Sequence, residues 1–135
     1  MRLIVLDTNV VVSAGIKPGS VPNRLLAEWI FEGKIKVVNA PSIAAEYRAV
    51  CTRGKFAAYG FPPPWLEYLI AESMMLDEPE EWPLALPDSS DGVFLALAKA
   101  TGAWLITGNL KHYPEELRAG VQVISPAEYL ERLSG

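Results

Sequence analysis

Acidic and amide side chains recur where apolar runs of the sequence end or where apolar segments begin: Asp7, Glu46, Asp88, Asp91 and Asn109. Carboxylate and amide oxygens are the ligands that hard divalent cations such as Mg²⁺ and Mn²⁺ prefer. A cation held by such groups can lower the pKa of a bound water and neutralise charge on a phosphoryl group. These residue types therefore make metal-assisted hydrolysis chemically available.

Each acid also has a purely structural interpretation. Asp7 could cap the turn that follows it at Thr8 and Asn9, because short polar side chains bond to nearby backbone. Asp88 stands three positions before Asp91, and capping of a helix start explains Asp88 better than ligation does. Asp91 leads a strongly apolar helix, which favours the functional interpretation.

Other reactive side chains are few. The lone Cys51 cannot form an intramolecular disulfide, and the chain has no Cys/His cluster that could hold zinc. This cysteine usage is typical of the reducing cytoplasm, where we expect the protein to reside. His112 is the only histidine. It could sit near a reacting phosphate together with Lys111, but it is interpreted as a surface residue, since a mechanism based on carboxylates needs no imidazole.

The length and charge of the chain limit the classes of protein to which it can belong. A chain of 135 residues that is 50% hydrophobic predicts one domain, residues 1–135, with a single core. No apolar run is long enough for a membrane span. The formal charge of −4 argues against nucleic-acid binding through bulk electrostatics, although a local basic strip could still contact phosphates.

The elements that position the acids follow from hydrophobic patterning and from turn residues. The predicted strands are Leu3–Leu6, Lys36–Val38, Trp104–Thr107 and Val121–Ile124. The predicted helices are Asn23–Gly33, Pro41–Thr52 with Ser42 as its N-cap, Trp65–Met75, a helix that includes Phe94–Ala98, and Ser125–Leu133 with a capping box. The acidic, proline-broken segment 77–83 is interpreted as a solvated loop.

Strands that alternate with helices predict an α/β fold with a mostly parallel sheet and helices on both faces. Right-handed crossovers place the carboxyl ends of parallel strands at one edge of the sheet, where open α/β sheets bind ligands. We therefore expect the acids to converge at that edge.

Four segments, taken in order, resemble the PIN-domain ribonucleases, in particular the small stand-alone toxins of toxin–antitoxin systems. They are Leu6–Val10, Pro41–Tyr47, Asp88–Ala98 and Leu105–Pro114. The resemblance covers nearly the whole chain. It implies a three-layer α/β/α sandwich in which acids surround one or two Mg²⁺ or Mn²⁺ ions and hydrolyse RNA phosphodiester bonds.

The resemblance also assigns roles to individual residues. Asp7, Glu46 and Asp91 match the first three acids of the family and are the predicted catalytic residues and metal ligands. Asn109 stands where the family has a fourth acid, which puts a second metal ion in doubt, and Asp88 could supply the missing charge. Groups that could orient carboxylates or waters are Thr8, Asn9, Ser13 and Thr107, for which turn and cap roles are equally compatible.

Two alternatives to catalysis by a ribonuclease remain open. An inert module that binds RNA or protein is compatible with the departure at Asn109. A haloacid-dehalogenase-like phosphatase is less compatible, because that chemistry needs a second Asp where this chain has Asn9.

The expected partners are single-stranded or structured RNA, a cognate antitoxin protein and a second copy of the chain, without membrane association. Arg48, Arg53 and Lys55 could guide an RNA backbone, although surface cations are ordinarily just solvated. An interface could include the apolar side chains of Tyr59, Phe61 and Trp65, which could equally cover the core.

Overall fold

The fold is built on a parallel β-sheet, seen in a computed structural model that describes residues 2–135. The strands are Arg2–Leu6 (β1), Ile35–Asn39 (β2), Met74–Met75 (β3), Trp104–Ile106 (β4) and Val123–Ile124 (β5). The helices are Thr8–Ile16 (α1), Val21–Leu25 (α2), Pro41–Cys51 (α3), Leu66–Glu72 (α4), Gly92–Thr101 (α5) and Pro126–Ser134 (α6). A π-helical stretch, Leu26–Ile30, continues α2.

The strand order is β3-β2-β1-β4-β5, with every pair parallel. Right-handed crossovers place the helices before β3 on one face and α5, which leads back to β4, on the other. The predicted three-layer α/β/α architecture with a parallel sheet is confirmed. The strand order reverses direction between β1 and β4, so the carboxyl ends of these two strands flank a crevice.

The central strands are apolar along their length because helices cover both of their faces. Ile4, Val5 and Leu6 of β1 are completely buried, as are Leu105 and Ile106 of β4. This continuous burial anchors the strand ends from which the polar side chains of the crevice project.

Helix α1 begins at Thr8, two residues before Val10, where the predicted turn would have ended. Asp7 is the extended N-cap residue, yet its side chain makes no capping hydrogen bond, and helix geometry starts at Thr8. The backbone N–H of Val10 donates to the Asp7 carbonyl at 3.0 Å. The predicted turn at Thr8 and Asn9 is therefore wrong, and the Asp7 carboxylate is left for other partners.

The predicted helix Trp65–Met75 is too long. Helix α4 ends at Glu72, because Ser73 is extended and its hydroxyl donates to the Ile70 carbonyl at 2.6 Å. Met74–Met75 then pairs with Val38 and Asn39 as edge strand β3, which was not predicted. Backbone pairing with the open edge of β2 outweighs the helical pattern of this segment.

Ser42 is not the N-cap of α3, contrary to prediction. The cap position is Ala40, Pro41 occupies the first turn, and the Ser42 N–H and hydroxyl both donate to Glu78, the hydroxyl at 2.7 Å. A carboxylate at this helix start gains from the helix dipole. By contrast, the predicted Ser125 cap is confirmed, since its hydroxyl accepts from the Glu128 N–H at 3.2 Å.

Residues 76–88, here called the strap, link β3 to the start of the next helical segment without regular structure. One attachment is the contact between Glu78 and Ser42 described above. A second is Trp82, whose indole N–H donates to the Leu117 carbonyl at 3.3 Å. A Cβ built at Gly92 would lie 3.0 Å from the Trp82 Cβ, so the strap packs closely against the start of α5.

Two of the three aromatic residues proposed for an interface pack against the core. Phe61 and Trp65 are partly buried, whereas Tyr59 is 53% exposed. Among residues 2–135, no helix is both long and apolar enough to cross a membrane.

Replacing Gly15 by Ala is expected to lower the free energy of unfolding by about 1–3 kcal/mol, because it overpacks the contact between α1 and residues 61–63. A Cβ at Gly15 would lie 2.6 Å from Cζ of Phe61 and 2.8 Å from Cγ of Pro63. Urea unfolding measures the change. Gly54→Ala is the matched control, since nothing lies within 4 Å of its added Cβ, and equal losses in both variants would contradict the close packing.

Candidate active site

Asp7 ends β1 and is tied to β4 at the carboxyl edge of the sheet. Its backbone N–H donates to the Ile106 carbonyl at 2.9 Å, and the residue is only 4% exposed. Its Oδ2 accepts two hydroxyl hydrogen bonds, from Thr107 at 2.9 Å and from Tyr113 at 2.8 Å. Because both donors engage Oδ2, Oδ1 is the oxygen that Asp7 can offer to a ligand.

Thr107 joins three parts of the site through one hydroxyl. Its Oγ1 donates to Asp7, accepts from the Asn109 N–H at 3.0 Å, and accepts from Nδ2 of Asn9 at 3.4 Å. Since a hydroxyl carries one proton, the two incoming donors direct that proton to Asp7. Oδ1 of Asn9 also accepts from the Gly108 N–H at 2.8 Å, which ties α1 to the loop after β4.

Asp91 is the second buried carboxylate, at the end of the 3₁₀ turn Ser89–Asp91 that leads into α5. Burial first, and then the nearby charges of Asp7 and Asp88, raise the pKa of Asp91 from 3.8 to about 6. His112 opposes this rise in the pKa. The structure therefore brings Asp7 and Asp91 close enough for their charges to repel.

His112 lies against Asp91 instead of pointing into solvent. Its Nδ1 is 2.9 Å from Oδ2 of Asp91, and this contact lowers the pKa of Asp91. In the described part of the chain, this buried Oδ2 has no hydrogen-bond partner besides that imidazole. A buried carboxylate oxygen with few partners is costly, so a single contact with a half-exposed imidazole leaves it poorly balanced.

Asp88 has the capping role expected for it and also belongs to the cluster. Its Oδ1 accepts from the Ser90 N–H at 3.0 Å and from the Ser90 hydroxyl at 2.7 Å. These hydrogen bonds lower the pKa of the Asp88 carboxyl. Donor atoms of Asp88, Asp91 and His112 all lie within 4.8 Å of one another.

Glu46 approaches from α3. The Thr8 hydroxyl donates to its Oε2, so the first residue of α1 orients this carboxylate. Glu46 also lines a groove of about 690 Å³ between the starts of α3 and α5, over which the strap passes. The rim of the groove is acidic, since Glu78, Glu80 and Glu81 line it as well.

Two buried tyrosines were not predicted to belong to the site. The Tyr113 hydroxyl donates to Asp7, and burial, followed by the charges of Asp7, Asp91 and Glu46, raises the pKa of Tyr113. Tyr47 donates to the Leu6 carbonyl at 2.5 Å, and burial with the charges of Asp7 and Glu46 raises its pKa too. The charges of all three predicted catalytic carboxylates therefore act on the Tyr113 hydroxyl.

The other predicted residues differ in their placement. Asn109 is partly buried and follows Thr107, to which its backbone N–H donates. Ser13 is exposed further along α1, and none of the hydrogen bonds described above involves it. His112 and Tyr113 could have been suspected from their place in the loop after β4, the same loop as Asn109.

The donor set fits a divalent cation. Clustered carboxylate oxygens of this kind are hard donors, which suit Mg²⁺ or Mn²⁺. A cation here would offset the burial and the repulsion that raise the pKa of Asp91, and it would give Oδ2 of Asp91 a partner besides His112. The chemistry of the site is therefore compatible with metal-assisted phosphoryl chemistry.

A sequence model of the PIN domain matches residues 3–111, a range that includes all the predicted carboxylates and Asn109. The chain belongs to the PIN domain family. The uncharacterized protein MJ1680 of Methanocaldococcus jannaschii is 34% identical over 109 residues, covering 78% of this chain and 70% of that protein.

Solved structures resemble this PIN domain in fold. VapBC2 from Rickettsia felis, bound to a promoter DNA fragment, gives a TM-score of 0.64 at 15% identity and covers 92% of this chain and 98% of that chain. PAE2754 from Pyrobaculum aerophilum gives 0.56 at 16% identity, with 98% and 90% covered. FitAcB from Neisseria gonorrhoeae gives 0.55 at 22% identity, with 92% and 98% covered.

In the metal-free protein, Asp91→Asn is expected to gain stability relative to the wild type as the pH rises. The pKa of the Asp91 carboxyl is about 6 in the fold and 3.8 ordinarily. Between these pH values the folded state holds a proton that the unfolded chain has released, so wild-type stability falls across this window. The variant has no such proton.

Urea unfolding in EDTA at about pH 4.5 and about pH 7 measures this effect. Between these two pH values, the difference in the free energy of unfolding between Asp91→Asn and the wild type should change by on the order of 1 kcal/mol, after allowance for solvent screening. A difference that is the same at both pH values would contradict the raised pKa of Asp91.

Proposed function

We propose that this PIN domain is a divalent-metal-dependent endoribonuclease that hydrolyses RNA phosphodiester bonds, and that it is the toxin of a toxin–antitoxin system. The observation that supports the proposal is that Asp7 and Asp91 are both buried at the carboxyl edge of the sheet, with the charge of Asp7 among the causes that raise the pKa of Asp91. Capping accounts for neither carboxylate, since neither side chain accepts a capping hydrogen bond.

The proposed cation is Mg²⁺ or Mn²⁺, held by Asp7 and Asp91. Thr107 and Tyr113 fix the Asp7 carboxylate through Oδ2, which leaves Oδ1 to bind the metal. Glu46, Asp88 and Asn109 are the further proposed ligands around this pair. Thr8 and Asn9 support them by holding Glu46 and the loop after β4.

A bound divalent cation would supply charge neutralisation at the phosphoryl oxygens and a lowered pKa for water. The chain itself would orient that water and take its proton. Thr8 engages Oε2 of Glu46, so Oε1 is the oxygen that can accept the proton. As the water oxygen bonds to phosphorus, the bond from phosphorus to the leaving ribose oxygen breaks, and that oxygen takes a proton from solvent.

Asn109 keeps an oxygen donor but lacks the negative charge of the acid found there in the family. A second cation facing Asn109 would therefore bind weakly. We expect one principal ion, placed between Asp7 and Asp91.

The proposed protein partners are a small antitoxin and a second copy of the chain. The acidic rim of the groove supports a protein partner with basic residues, because Glu78, Glu80 and Glu81 would repel RNA phosphates there. RNA would then reach the carboxylates from another side, and an antitoxin segment in the groove would lie next to Glu46.

Purified protein should cleave a labelled single-stranded RNA in Mg²⁺ or Mn²⁺ but not in EDTA. Asp7→Asn and Asp91→Asn should each lower the cleavage rate by at least about 100-fold, because each removes a charged ligand of the proposed cation. A DNA oligonucleotide of the same sequence tests whether the substrate is RNA. Gel electrophoresis of the products measures all of these rates.

The matched control is Asp77→Asn, an exposed acid outside the site, which should cleave like the wild type. Circular dichroism shows whether each variant is folded. Equal cleavage by all variants would reveal a contaminating nuclease. RNA binding without cleavage in any metal would favour an inert binding module instead.

A further inference from the structure

We propose that His112 is a ligand of the divalent cation, together with Asp88 and Asp91, and that its nitrogen makes the site prefer a first-row transition ion such as Mn²⁺ over Mg²⁺. The inference rests on the proposed metal dependence, but it concerns a donor outside the acidic set that the family resemblance assigns. The matched PIN domain region ends at residue 111, just before this histidine.

The cluster is a product of the tertiary structure. Asp88 and Asp91 flank the 3₁₀ turn before α5, whereas His112 ends the 3₁₀ turn Leu110–His112 after β4. These two turns bring donor atoms of all three residues within 4.8 Å of one another. A separation of this size allows three donors to contact one ion.

The contact between His112 and Asp91 is short enough for the two groups to be neighbouring ligands of one ion. Nδ1 and Oδ2 are 2.9 Å apart, and Oδ2 has no other hydrogen-bond partner in residues 2–135. Two ligands of one ion point their lone pairs at the ion and not at each other. Around an octahedral ion with bonds of about 2.1 Å, neighbouring donors lie about 3 Å apart.

Asp88 is held in place to act as the third donor. Its hydrogen bonds from the Ser90 N–H and hydroxyl both fall on Oδ1. The carboxylate is thereby fixed at the start of the turn, and Oδ2 is not used by either bond. Asp88 thereby adds a negative charge to those of Asp7 and Asp91 around the proposed cation.

The imidazole nitrogen of His112 affects which divalent ion the site binds most tightly. Mg²⁺ strongly prefers oxygen ligands, whereas imidazole nitrogen is a common ligand of transition ions. A site that adds one imidazole to its carboxylates should therefore favour a transition ion over Mg²⁺. The exposed fraction of the His112 side chain, 39%, leaves room for a cation and its waters to enter.

The test uses the full chain without a histidine tag, so that His112 is the only imidazole. Mn²⁺ alone is the probe. Electron spin echo spectroscopy of bound Mn²⁺ should show coupling to an imidazole ¹⁴N in the wild type, and His112→Gln should abolish it. The variant should bind Mn²⁺ about tenfold more weakly, measured from the free-Mn²⁺ signal, with a smaller loss for Mg²⁺ measured by displacement.

Two further variants separate ligation from charge pairing. His112→Arg keeps a cation beside Asp91 but cannot ligate a metal, so it should bind Mn²⁺ as weakly as His112→Gln. Lys111→Gln removes a neighbouring charge outside the cluster and should bind like the wild type. Wild-type Mn²⁺ affinity in His112→Arg would overturn the inference.

The remaining outcomes distinguish this inference from the proposed function. Mn²⁺ that binds without ¹⁴N coupling would overturn the role of His112, while metal-dependent RNA cleavage would still support the ribonuclease. A wild-type protein that binds no Mn²⁺ would overturn the inference and the proposed metal site together.

Discussion

The burial of carboxylates in one crevice is the constraint on which the site of this PIN domain depends. Burial, with the charges of Asp7 and Asp88 as further causes, raises the pKa of Asp91 to about 6. Hydroxyl groups hold the acids in place: Thr107 and Tyr113 donate to Asp7, and Thr8 donates to Glu46. Buried charge is tolerated when such donors and a counterion are present.

The sheet topology makes this arrangement possible. Because the strand order reverses between β1 and β4, the chain leaves these two neighbouring strands in different directions. Asp7 and Thr107, which follow them, can therefore lie in contact without a crossover between them. The completely buried side chains of both strands keep the edge rigid, so the hydroxyl and carboxylate positions are set by the core.

The sequence was sufficient for the parts of the site that follow from local pattern. An acid directly after an apolar strand, such as Asp7, or before an apolar helix, such as Asp91, can be placed once a parallel sheet is predicted. His112 and Tyr113 could not be placed, because their partners are distant in the chain; Tyr113 and Asp7 are separated by 106 positions. Edge strand β3, Met74–Met75, has only two residues and shows no periodicity of its own.

The strap gains its order from side-chain attachments and packing and not from secondary structure. An unrestrained segment of this length would sample many conformations. In the strap, Glu78 is bound to α3 and Trp82 to the Leu117 carbonyl. These contacts divide the strap into short loops that have few conformations left. Glu78 is bound to the same helix that carries Glu46. A movement of α3 would thus pull the strap along with it, so that the width of the groove and the position of that carboxylate are mechanically coupled.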